Sequence, residues 1–182
     1  MEWVSFLWRV RSVIQTYEAA VSVTTRLHQL SGKDCCGFGS DPEFPDVISL
    51  DFGERTTGVE GLTGSETEIV QSCGSDFRLT LYCAWRVLIE GSIAFGWRDA
   101  SLDEFGASTE LAKLIGKQVQ VVDVNPTTYD LRVCFQGDTE LEAYCDVTNN
   151  CDFDQNYVLT GSKWICTVGL KSLVLIEKKR RS

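Results

Sequence analysis

The chain is expected to fold as an α+β protein on a mainly antiparallel sheet, and three observations point there. One passage occurs twice. Leu79, Tyr82, Cys83, Trp85, Val87, Leu88, Gly91, Ser92 and Gly96 reappear in the same order as Leu141, Tyr144, Cys145, Tyr157, Val158, Leu159, Gly161, Ser162 and Gly169. Such recurrence marks one supersecondary unit used twice, here strand, turn, strand, with about ten extra residues between Cys145 and Tyr157 in the second copy. The neighbouring segments alternate apolar and polar residues at the period of two of half-buried strands. Finally, 182 residues with 43% hydrophobic and 24% charged content suffice for one buried core. The expected organisation is a single domain over 1–182. Residues 1–45 form a helical N-terminal segment and loop, 46–107 a first meander, 108–177 a short helix and second meander, and 178–182 a basic tail.

Each element has its own reason. Val10, Val13, Ile14, Tyr17, Val21 and Leu27 approximate one apolar helical face, so residues 3–30 read as a helix that Ser31-Gly32 ends. Lys33 to Pro45, interrupted by glycine and proline, reads as a loop. Strands are expected at Val47–Phe52 and Glu68–Ser72, with a turn-rich stretch from Gly58 to Gly64 between them. Phe77, Leu79, Leu81, Cys83 and Trp85 alternate with polar neighbours, and Glu90-Gly91-Ser92 turns the chain into Ile93–Trp97. A short connecting helix is expected at Glu110–Ile115, capped by Ser108 or Thr109 and stopped by Gly116. Val119–Val124 is a strand with a bulge at Val121-Val122. Asn125-Pro126 and Gly137-Asp138 bound the strand of Leu131, Val133 and Phe135. Glu140–Cys145, Tyr157–Thr160, Trp164–Val168 and Leu173–Ile176 complete the second meander. Glu140 and Glu142, at alternate positions, imply one solvated face.

Charge narrows the partners. Residues 1–177 hold 13 basic and 26 acidic residues, and Lys178 to Arg181 form the basic tail. A body that acidic does not suit nucleic acid as its own ligand, since phosphate needs a basic face; a basic protein partner fits it. The first apolar run, Trp3 to Val10, lacks a preceding basic region and is broken by Arg9 and Arg11, so no secretory leader is expected. No stretch is long and apolar enough to span a bilayer. With four of the eight cysteines in strand-like segments, reduced thiols in a cytoplasmic protein are expected.

Catalytic and metal signatures are missing. His28 is the single histidine, on a helix. No nucleophile elbow or phosphate loop occurs, and no pair of thiols has zinc-binding spacing. Asp152-x-Asp154-x-Asn156 imitates the start of a calcium loop, but Tyr157 stands where glycine belongs and Lys163 where the bidentate glutamate belongs. The expectation is a non-enzyme without cofactor or metal. What remains is surface. Asp146, Asp152 and Asp154 lie in the insertion between two strands, and Asp99, Asp103 and Glu104 follow the corresponding strand end of the first repeat. If the repeats pack side by side, these residues line one acidic rim, the candidate partner-binding site.

The stretch Phe77-Arg-Leu-Thr-Leu-Tyr-Cys-Ala-Trp-Arg-Val-Leu-Ile-Glu-Gly-Ser-Ile-Ala-Phe-Gly resembles a group of small bacterial β-rich proteins of unassigned function, and the resemblance covers roughly residues 75–170. They carry a Cys-Pro-Trp-Arg-like motif before a glycine-containing hairpin. Leu114-Ile-Gly-Lys-Gln-Val to Asp130-Leu-Arg-Val-Cys-Phe resembles their second half. Ala84 stands where proline is usual, and Tyr157 where tryptophan is common. Such proteins are often encoded near polymorphic toxins, so the resemblance implies an immunity protein that occludes a cognate toxin with a basic active-site cleft. It carries no functional residue over. The alternative is a small-ligand or sensor domain with an aromatic cleft between the meanders, lined by Trp85, Tyr144 and Tyr157.

Overall fold

The computed structural model describes residues 18–40, 44, 46–59, 69–100, 110–146 and 154–179. Helix α1 (residues 18–27) ends in a tight turn at His28–Leu30 and leads into strand β1 (Asp34–Ser40). Then come β2 (Ile48–Val59), β3 (Ile69–Leu81), β4 (Ala84–Ile89), β5 (Ser92–Gly96) and the single-turn α2 (Trp97–Ala100). Helix α3 (residues 110–112) precedes β6 (Val119–Val124), β7 (Leu131–Phe135), β8 (Thr139–Tyr144), β9 (Gln155–Thr160), β10 (Trp164–Gly169) and β11 (Val174–Lys178). The strands form two antiparallel sheets, ordered β1-β2-β3-β9-β10-β11 and β5-β4-β8-β7-β6. The inner faces of both feed one core, where the Phe52 and Phe135 rings lie 6.4 Å apart and nearly parallel.

The α+β, mainly antiparallel class therefore stands. Turn chemistry behaves as expected: Glu90-Gly91 and Gly137-Asp138 all take positive φ, as tight hairpins between right-twisted strands require. The β6 bulge is real, but it lies between Val119 and Val121, one step before the expected place. The largest departure is β1, expected as loop. Its glycines hide the alternation, yet Cys35 is fully buried and Phe38 packs against the core, which fixes the strand on the edge of β2. β3 is also longer than expected, running to Leu81 before a break at Tyr82-Cys83. The N-terminal part of the expected 3–30 helix, residues 3–17, lies outside the described residues, as do the caps Ser108 and Thr109.

The repeat extends further than its most similar passage. Leu30-Ser-Gly-Lys33 and Leu114-Ile-Gly-Lys117 occupy equivalent places before β1 and β6. Gly32 and Gly116 both have φ near +80°, a conformation only glycine takes without strain. Their hydrogen bonds are reciprocal. Gly32 N–H donates to Val119 O and Gly116 N–H to Cys35 O, while Cys35 N–H donates to Lys117 O and Val119 N–H to Lys33 O. Register shifts between Cys35 and Gly37 and between Val119 and Val121 also correspond. So do the core ladders: Ile48↔Leu81 with Leu131↔Ala143, and Leu50↔Leu79 with Val133↔Leu141.

The two halves do not pack as separate side-by-side units, the condition on which a single acidic rim was expected. They exchange strands. β3 of the first half pairs with β9 of the second through Leu79↔Leu159 and Leu81↔Tyr157. Symmetrically, β8 pairs with β4 through Leu141↔Val87 and Ala143↔Trp85. Each half therefore completes the other's sheet, in a pseudo-two-fold arrangement with one shared core.

Candidate functional site

Strand directions place the loops at two opposite ends. At one end Ala84 pairs with Tyr144, Arg86 with Gly96, Leu131 with Ala143, and Gln155 with Gly169. Asp99 after β5, Asp146 after β8 and Asp154 before β9 therefore leave the sheets at the same end, all exposed. Asp46 and Asp130 belong to that end too, but they serve the fold. Asp130 Oδ1 accepts the Cys145 N–H at 2.8 Å and its Oδ2 accepts the Thr128 hydroxyl. The Asp46 carbonyl accepts the Trp85 indole N–H. Asp103, Glu104 and Asp152 lie outside the described residues, so the other three of the six expected rim residues are the ones placed at this end.

Cations occupy the other end. Lys33 and Lys117 precede β1 and β6, Lys163 stands in the β9–β10 turn, and Lys178 pairs across from Trp164. Lys179 N–H bonds Lys163 O. Among the described lysines, Lys171 alone accompanies the acidic end. The sheet-face arginines are neutralised: Arg78 by Asp51, Arg86 by Glu142 and Arg132 by Glu140. The lysine end is mixed in charge: Asp34, Glu54, Asp76, Glu90 and Asp138 share it, and Lys33 is paired with Glu54 and Asp76. The two ends therefore differ in where the lysines lie, which sequence reading missed because it depends on strand direction.

Asn156 organises the acidic end. It is buried, and its Oδ1 accepts the Asp146 N–H at 2.8 Å while its Nδ2 donates to Gly169 O at 3.1 Å and Asp146 O at 3.3 Å. Both amide atoms are spent on backbone, so the Asp152-x-Asp154-x-Asn156 alternation does not offer Asn156 as a calcium ligand. The residue instead clamps the exit of β8 to the entry of β9, which orients Asp146 and Asp154 outward.

The expected aromatic cleft is not there. Trp85 and Tyr157 are core residues, 2% and 0% exposed, because they face each other's partner strands at the seam. Tyr157 donates its hydroxyl to Tyr129 O, and burial pushes its ionisation well up. Tyr144 lies on the outer face of the second sheet, with the Arg86 guanidinium 5.2 Å from its ring centre. Burial, with the hydrogen bond to Glu142, pushes its hydroxyl up to about 12. A groove does exist elsewhere. About 580 Å³ lies on the outer face of the first sheet, walled by Phe38, Phe44 and Tyr82 and floored by Ser49, Thr80 and the Asp51–Arg78 pair. Ser49 and Thr80 share a hydrogen bond of 2.9 Å, and Arg78 meets Asp51 through two contacts of 2.8 and 2.9 Å.

The cysteines correct one expectation. Cys36 is disulfide-bonded, so eight reduced thiols are not what the structure holds. Cys35, Cys83, Cys134, Cys145 and Cys166 are free. Burial pushes the Cys35 thiol up to about 12 and that of Cys166 to about 11, leaving neither a ready nucleophile. His28 is exposed at the end of α1. Among the described residues no group of three His, Cys, Asp or Glu side chains converges on a metal-sized gap, and no helix is long and apolar enough to cross a membrane. No family model matches the chain, and neither does any curated protein or solved structure.

Proposed function

We propose that the chain is a non-catalytic binding protein that engages a basic protein partner through the acidic end, as an immunity protein does when it occludes a toxin. One observation carries this reading: Asp99, Asp146 and Asp154, from separate strand ends, lie exposed at one end, where Lys171 is the one described lysine. A local negative potential of that kind orients a basic partner before contact and raises its encounter rate. Occlusion of a cleft requires shape and charge from the inhibitor, and no reacting group. The resemblance of residues 77–96 and 114–135 to proteins encoded near toxins supports the same reading, and an acidic surface suits a toxin whose basic cleft binds nucleic acid. The test is co-expression with the product of the adjacent gene. Rescue of growth and a complex stable at micromolar concentration are expected; toxicity without rescue, and no complex, overturn the reading.

A second reading, a small-ligand or sensor domain, is favoured by the groove on the first sheet. Its floor carries no net charge, since Asp51 and Arg78 cancel, and its walls are aromatic. That composition suits a neutral ligand bearing both hydroxyls and an apolar face. A thermal shift with neutral sugars or nucleosides, abolished by Tyr82→Ala, supports this reading; no shift with either class removes it.

A further inference from the structure

We propose that Cys83 and Cys145 are a disulfide-forming pair, a modification site at the seam between the two halves that a low-molecular-weight disulfide such as oxidised glutathione converts into a cross-strand bridge. The two residues close the two copies of the repeated block, Leu-Thr-Leu-Tyr-Cys and Leu-Glu-Ala-Tyr-Cys. The antiparallel β4–β8 ladder has Ala84 opposite Tyr144, so its next step places Cys83 opposite Cys145. Neither amide reaches across that step: Cys83 N–H donates to Asn156 O at 3.1 Å and Cys145 N–H to Asp130 Oδ1 at 2.8 Å. A facing pair without mutual backbone hydrogen bonds is the closer kind, with Cα atoms about 4.5 Å apart, inside the range of about 4.4–6.8 Å that disulfides span. The Cys145 thiol donates to Tyr129 O at 3.3 Å, and Cys83 lies near enough to be the leading influence on its ionisation.

Among the described residues no other free thiol has this geometry. Cys35 faces Phe52, Cys134 faces Val121 and Glu140, and Cys166 faces Leu159 and Ile176. Cys145 is partly exposed whereas Cys83 is 3% exposed, so Cys145 meets the reagent first. The Cys145 thiolate attacks one sulfur of oxidised glutathione, breaking its S–S bond. A mixed disulfide forms, and one glutathione leaves as thiolate and takes up a proton. The Cys83 thiolate then attacks the Cys145 sulfur, the protein disulfide forms, and the second glutathione leaves and is protonated. Two electrons pass from the protein to the reagent, and the two thiol protons end on the two released glutathiones. The proximity of Cys83, together with burial, holds the Cys145 thiol well above its ordinary range, so the reaction is slow at neutral pH and quickens as pH rises. The bridge ties β4 to β8 across the halves and stabilises the fold by constraining the unfolded chain.

The test incubates the folded full-length chain with oxidised glutathione at pH 8, then alkylates and maps the peptides without reduction. A linked pair containing Cys83 and Cys145, with no retained glutathione and a raised melting temperature, is expected. Cys83→Ser should instead retain a stable glutathione adduct at Cys145. The proposal is overturned by a glutathione adduct that persists on wild-type Cys145, by a bridge from either residue to another cysteine, or by both thiols remaining alkylatable after prolonged incubation. Because the wild-type map stands alone, the outcome does not depend on the variant folding. A bridge that forms but lowers the melting temperature also counts against it, since the native ladder would then not hold the pair in place.

Discussion

Single residues carry more here than their chemistry suggests. Asn156 holds three backbone groups of the acidic end from a buried position. Asn156→Ala leaves those groups unpaired and is expected to cost roughly 1–3 kcal/mol, the range for buried polar groups losing a partner; chemical denaturation measures it. Leu131 and Leu141 occupy equivalent ladder systems and are 2% and 0% exposed. Replacing either with alanine is expected to cost about 2–5 kcal/mol as a cavity change. A loss below about 0.5 kcal/mol would be that of a surface site and would contradict the assignment of faces. Gly116 takes φ +83° while donating to Cys35 O. Gly116→Ala is expected to destabilise by roughly 1–2 kcal/mol, the cost of a left-handed backbone with a Cβ.

Among the elements, the outer face of the second sheet is held by cross-strand charge. Arg132 contacts Glu140 at 2.7 and 2.8 Å, and Arg86 contacts Glu142. Hydrogen bonds from Arg132 hold the Glu140 carboxyl below its usual range. The Tyr144 hydroxyl, and then Arg86, do the same for Glu142. A depressed carboxylate contributes stability that is present above its unfolded pKa, about 4.3, and lost as pH falls through the lower folded value. The melting temperature is therefore expected to hold from pH 7 to about 5 and to drop below about 4.3. Glu140→Gln should flatten part of that drop, and an unchanged acid profile in the variant would show that the pair adds nothing. The two glutamates were readable as a solvated face because strand alternation is local. β1 was not readable, since Gly37 and Gly39 carry no side chains to alternate and its order comes from pairing with β2. The Tyr82-Cys83 break was hidden for a similar reason: the apolar alternation runs on through Trp85 although the chain changes sheets there.

The whole molecule is a doubled unit whose halves complete each other's sheets. The repeat was visible only where Tyr-Cys and glycine recur. Elsewhere equivalence survives mostly as shape: Ile48 with Leu131 and Leu50 with Val133 share bulk rather than identity, and only Phe52 with Phe135 keeps both. The acidic end was partly foreseen, because inserted loops on a sheet invite function, but which strand ends share it, and that most described lysines lie elsewhere, needed the strand directions. The aromatic cleft was misplaced since the exchange of strands puts Trp85 and Tyr157 at the seam. The central claim is that the acidic end steers and binds a basic partner. It is tested most directly by the association rate with the adjacent gene's product, measured against ionic strength for the wild type and for a variant carrying Asp99→Asn, Asp146→Asn and Asp154→Asn. The wild-type rate should fall with salt, while the variant, folded as before, should associate roughly tenfold more slowly at low salt and converge on the wild type as charge is screened. Equal rates and equal salt dependence for the two proteins would contradict the claim.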